Sequence, residues 1–129
     1  MQRNSRESDV GAITRDAETT VQSLRELVAE FVAERDWQQF HSPKNLAMSI
    51  SIEAAELMEH FQWDTVNASR EVKDDPEKRA AVAEELADVL SYCLALANTL
   101  NIDVSDAMKK KMAKNRLKYP VDRYRGRAR

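Results

Sequence analysis

From Val21 onward the apolar residues Val21, Leu24, Leu27, Val28, Phe31 and Val32 recur at intervals of three and four, which predicts an amphipathic helix ending near Asp36. A short connection, Trp37 to His41, leads into Ser42-Pro43, a capping oxygen followed by a residue whose missing N–H costs nothing in a first helical turn. A second helix is therefore predicted as far as about Gln62, with Leu46, Ile50, Leu57 and Phe61 as its apolar stripe. The polar stretch from Asp64 to Asp74 reads as a loop with a short helical turn. Asp75-Pro76 repeats the cap signal and opens a third helix to about Leu100, whose stripe is Val82, Leu86, Val89, Cys93, Leu96 and Leu100. Asp103 caps a fourth helix that runs to Lys118 and stops before Pro120.

This pattern divides the chain into an N-terminal arm without periodicity (1–18), a helical domain (19–119) and a basic tail (120–129). Four helices with short links predict an all-α fold, a four-helix bundle. Composition agrees, because two glycines and three prolines in 129 residues leave few breaks for a turn-rich sheet. The lone cysteine, Cys93, excludes an internal disulfide and falls within an apolar stripe, so it reads as a core residue in a chain expected to be cytoplasmic. The longest apolar run, Val89 to Leu100, is interrupted by Ser91 and Asn98 and is too short to span a bilayer, so no membrane partner is expected. The net charge is −2 but unevenly spread: residues 1–108 hold 21 acidic and 10 basic side chains, and residues 109–129 hold 10 basic and one acidic. An acidic body thus carries a basic end.

Two acidic pairs interrupt the stripes. Glu53 lies three residues after Ile50 and four before Leu57, with Glu56 one turn on; Glu85 lies three after Val82 and four before Val89, with Asp88 one turn on. Packing the two stripes together would bring four carboxylates into a partly dry interior, where desolvation and mutual repulsion both oppose ionisation. Protonation, basic partners or a divalent cation can relieve this. An all-oxygen set without histidine suits Mg²⁺, with Mn²⁺ as a substitute, rather than zinc. The plainer alternative is that these are acids on solvated faces, as Glu59, Glu77 and Glu84 are expected to be.

The spacing Glu53-Ala54-Ala55-Glu56 followed by Glu85-Leu86-Ala87-Asp88 resembles the E-x-x-E…E-x-x-D signature of the all-α NTP pyrophosphatase superfamily, which includes MazG, dimeric dUTPases and phosphoribosyl-ATP pyrophosphatases. The block Phe31 to Leu46, with Phe61-Gln62-Trp63, Lys114-Asn115-Arg116 and Tyr119-Pro120, is similar to the dCTP pyrophosphatase branch and the single-domain MazG-like proteins. The likeness covers about residues 20–120 and departs from the branch at Ile52, Ala54 and Ala55, where glycines flank the first acid pair. It implies a Mg²⁺-dependent hydrolase converting a deoxynucleoside triphosphate, dCTP or a modified dCTP, to the monophosphate and pyrophosphate, as nucleotide-pool house-cleaning. It further implies metal binding by Glu53, Glu56, Glu85 and Asp88, with Glu53 or Glu56 activating water. Trp37, His41, Trp63 and Tyr92 would line a base pocket, with Lys44, Lys111 and Asn115 near the nucleotide.

A chain this short can supply only part of a deep pocket, so a homodimer or tetramer is expected. A di-iron carboxylate bundle is disfavoured because it needs Glu-x-x-His pairs, and neither His41 nor His60 lies three residues after a glutamate. The remaining alternative is a nonenzymatic module holding nucleotide or nucleic acid through Lys109 to Arg129; no nucleic-acid motif accompanies that charge, so no specific nucleic acid is expected.

Overall fold

In the computed structural model, which describes residues 15–128, no strand occurs among those residues. Six α-helices follow in order: α1 (Val21–Glu34), α2 (Pro43–Glu59), α3 (Val66–Glu71), α4 (Pro76–Leu100), α5 (Val104–Lys118) and α6 (Val121–Tyr124). A short 3₁₀ turn at Asp16–Glu18 precedes α1, and others at Gln38–Phe40 and Val72–Asp74 link α1 to α2 and α3 to α4. Most of the expected N-terminal arm, residues 1–14, lies outside the described residues.

Side-chain oxygens open the first five helices, each accepting from a backbone N–H three residues on: Thr20 from Ser23, Ser42 from Asn45, Thr65 from Ala68, Asp75 from Lys78 and Asp103 from Asp106. The caps at Ser42, Asp75 and Asp103 stand where the sequence places them. Thr65 and α3 fall inside the stretch expected to be mainly loop, and α6 gives the basic tail one helical turn.

The main packing seam joins α2 to α4, and α1 lies against α4. Val32, Leu46, Val72, Ala95 and Ala97 are buried, Leu46 most completely at 1% exposure. One polar clamp locks α1 to the end of α4. The Arg25 Nε donates to Asn98 Oδ1 at 2.9 Å, Asn98 Nδ2 donates back to the Arg25 carbonyl at 3.1 Å, and Arg25 Nη1 reaches the Ile102 carbonyl at 2.6 Å. At the other end of α4, Lys78 pairs with Asp64 at 2.5 Å and ties the α2–α3 link to the first turn of α4.

Two expectations change. The α2 helix ends at Glu59, so Phe61 belongs to the following turn rather than to its stripe. The apolar stripes are also only partly covered: Leu24, Leu27 and Phe31 of α1 and Leu86 and Leu100 of α4 are exposed. Cys93 is half-buried. No helix among the described residues is long and apolar enough to cross a membrane.

Candidate metal centre and adjoining cleft

The α2–α4 seam brings Glu53 and Glu56 of α2 to Glu85 of α4, while Asp88, the fourth acid of the expected set, stands outside that group. Carboxylate oxygens of Glu53, Glu56 and Glu85 lie within 4.8 Å of one another, close enough to hold one metal ion. Each of the three is half-buried. The arrangement follows from local structure: three-residue spacing keeps each pair on one helix face, and the stripe that carries Glu53 and Glu85 is the surface the helices use to pack.

Electrostatically the cluster is under strain. Burial pushes the Glu53 carboxyl up from 4.5 to about 7, helped by a hydrogen bond with Glu56 and by the charges of Glu56, Asp88 and Glu85. Asp88 is exposed yet near enough to Glu53 to contribute. Glu53 Oε2 and Glu85 Oε2 are buried without any hydrogen-bond partner. Buried acceptors of this kind carry a desolvation cost that a hard cation removes, so the donor set fits an oxygen-ligated divalent metal.

From the acid cluster a cleft of about 550 Å³ opens between α1 and α4. Asp88, Ser91, Tyr92 and Ala95 line it from α4, and Leu27, Val28, Phe31 and Val32 from α1, while Trp37 and His41 close it from the link before α2. The Phe31 and Trp37 rings meet edge to face, with centroids 5.7 Å apart and planes at 74°. A volume of this size accommodates a nucleoside, and a mostly apolar wall beside a cluster of charges is the common form of a small-molecule site.

Of the residues expected to contact a nucleotide, the structure thus gathers Trp37, His41, Tyr92 and Asp88 around one cleft, with Glu53, Glu56 and Glu85 beside Asp88. Lys44, Trp63, Lys111 and Asn115 do not line it. Lys44 is exposed in the first turn of α2, Trp63 is 89% exposed, Lys111 is exposed on α5, and Asn115 is half-buried there. The sequence reading missed Leu27, Val28, Phe31 and Ser91. The three apolar residues belong to a stripe that reads as core, whereas Ser91, interrupting the Val89 to Leu100 run, carried a usable signal.

The sequence model of the MazG-like family matches residues 48–128, a span that holds both acid pairs. The chain belongs to the MazG-like family. It is 46% identical to dCTP pyrophosphatase 1 of Mus musculus over 111 residues, which is 86% of this chain and 65% of the mouse protein. With dCTP pyrophosphatase 1 of Bos taurus it shares 43% identity over 118 residues, covering 92% of this chain and 70% of that one. The chain therefore spans about two thirds of the length of these relatives. Among solved structures, a pyrophosphatase from Archaeoglobus fulgidus superposes with a TM-score of 0.73 at 42% identity, covering 84% of this chain and 99% of that one.

Proposed function

We propose that this MazG-like chain is a Mg²⁺-dependent nucleoside triphosphate pyrophosphohydrolase, converting dCTP or a modified dCTP and water to the monophosphate and pyrophosphate. The observation that carries this reading is the carboxylate cluster of Glu53, Glu56 and Glu85, with two buried oxygens lacking partners, beside a nucleoside-sized cleft. The names of the mouse and cattle relatives support dCTP as the substrate.

In this reading Glu53, Glu56, Glu85 and Asp88 hold the metal. Bound Mg²⁺ would neutralise the triphosphate and polarise its phosphorus. Glu53 or Glu56 orients a water and accepts its proton as the oxygen attacks the α-phosphorus in line; the bond from that phosphorus to the bridging oxygen breaks, and pyrophosphate departs with the electron pair. Trp37, Tyr92 and His41 receive the nucleoside. Lys44, Trp63, Lys111 and Asn115 lie off this cleft, and we assign them to the nucleotide held by a neighbouring copy in a homodimer or tetramer, where the uncovered apolar stripes would also meet and complete a four-helix bundle.

The test is a panel of standard and modified deoxynucleoside triphosphates incubated with Mg²⁺, with released pyrophosphate measured against orthophosphate. We expect pyrophosphate, fastest from a cytosine nucleotide. Glu56→Ala and Asp88→Ala should each lower turnover at least about a hundredfold while the helical circular dichroism persists. Full turnover in excess chelator, or in either variant, would refute the assignment.

A further inference from the structure

The two rings that wall the cleft are weakly fixed by packing: Phe31 is 48% exposed and Trp37 is 43% exposed. Rings with that much free surface change rotamer readily, and ordering them on binding reduces affinity. The backbone supplies part of the restraint. Asp36 adopts φ +53, with its N–H on the Ala33 carbonyl and the Trp37 N–H on the Val32 carbonyl, each at 3.1 Å. That paired closure of the helix end turns the chain so that Trp37 returns beside the last turns of α1. It sets where the Trp37 backbone lies but leaves the Phe31 ring free to rotate.

Arg35 supplies what is missing. Its guanidinium carbon lies 3.7 Å from the Phe31 ring centroid and 6.0 Å from that of Trp37, and its Nη1 donates to the Phe31 carbonyl at 3.0 Å. The same Nη1 lies 3.6 Å from Glu34 Oε2. Arg35 does not itself line the cleft. A planar cation over one ring face, tethered to that residue's own carbonyl, restricts the ring and leaves its edge to meet the neighbouring indole.

We propose that Arg35 is a positioning residue for the nucleobase: by stacking on Phe31 it fixes the edge-to-face Phe31–Trp37 pair and presets the aromatic wall of the cleft. This rests on the nucleotide reading above. Because Arg35 acts through the rings and belongs neither to the acid cluster nor to the cleft lining, its loss should weaken substrate binding without slowing the chemical step.

The experiment has two arms. In the otherwise native chain, Arg35→Ala should raise the KM for dCTP about three- to tenfold with kcat within about twofold, and Arg35→Lys should restore part of the loss because an ammonium still stacks on the ring. In a Trp63→Phe background, where Trp37 is the one indole, Arg35→Ala without nucleotide should red-shift the emission and increase quenching by acrylamide. An unchanged KM, whatever the fluorescence does, overturns the proposal, as does a loss confined to kcat. If the unmodified chain hydrolyses no nucleoside triphosphate, the functional reading fails instead, and the fluorescence arm still decides whether Arg35 orders the rings.

Discussion

Burial of Glu53 among Glu56, Asp88 and Glu85 pushes its carboxyl from 4.5 up to about 7, so the metal-free folded protein holds a proton that the unfolded chain has released near neutrality. With the folded value above the unfolded one, this group's contribution to stability is complete below about pH 4.5 and is lost as pH rises through about 7. The melting temperature of metal-free protein should therefore fall across that range more steeply than that of Glu53→Gln. Equal slopes in the two proteins would place the titration elsewhere. The acid pairs themselves were legible in the sequence, because a glutamate inside an apolar stripe conflicts with the rule that charges stay wet. Which oxygens end up without partners was not legible, since that depends on how deeply α2 and α4 interlock.

Helix α4 carries two of the four acids, and its ends rest on single residues. Asp75 caps its start, and Asn101 at φ +53 ends it in a left-handed conformation. Removing the cap with Asp75→Ala should cost about 1 kcal/mol in denaturant unfolding at fixed protein concentration. At the other end Asn101→Ala should cost about 1 kcal/mol, because a Cβ without a side-chain acceptor tolerates that conformation poorly, whereas Asn101→Gly should be neutral within about 0.5 kcal/mol. Asp75 lies ten positions before Glu85 and Asn101 thirteen after Asp88, so a stability loss without loss of activity is the expected signature. Starts of helices were easier to read than ends. An aspartate or serine before proline marks a start chemically, while α2 stops at Glu59 with neither glycine nor proline to announce it, and α3 has no apolar stripe to distinguish it from loop.

Among the described residues, large apolar side chains remain uncovered on several helices, including Leu27 on α1, Met58 on α2 and Leu117 on α5, the last at 85% exposure. A folded chain that leaves this much apolar surface in water is driven to self-association, and α5 buries none of its residues. A basic 109–129 segment on an otherwise acidic chain adds charge complementarity between copies. Light scattering at micromolar concentration should give a mass that is a multiple of 14.8 kDa. A monodisperse 14.8 kDa particle would remove the assignment of Lys44, Trp63, Lys111 and Asn115 to a neighbouring copy.

Periodicity and cap chemistry are local, acting over three or four residues, so the sequence by itself determined where the long helices lie, that the fold is helical, and that acids interrupt the apolar stripes of α2 and α4. Contact between residues far apart in the chain is not local. Only the tertiary structure decided that Asp88 and Tyr92 face Phe31 and Trp37 across one cleft, that Arg25 and Asn98 clamp its two walls, and that Trp63 stays outside it. An apolar position on a helix declares that it wants cover, and whether that cover is another helix, a ligand or a second copy depends on the space the packed helices leave open.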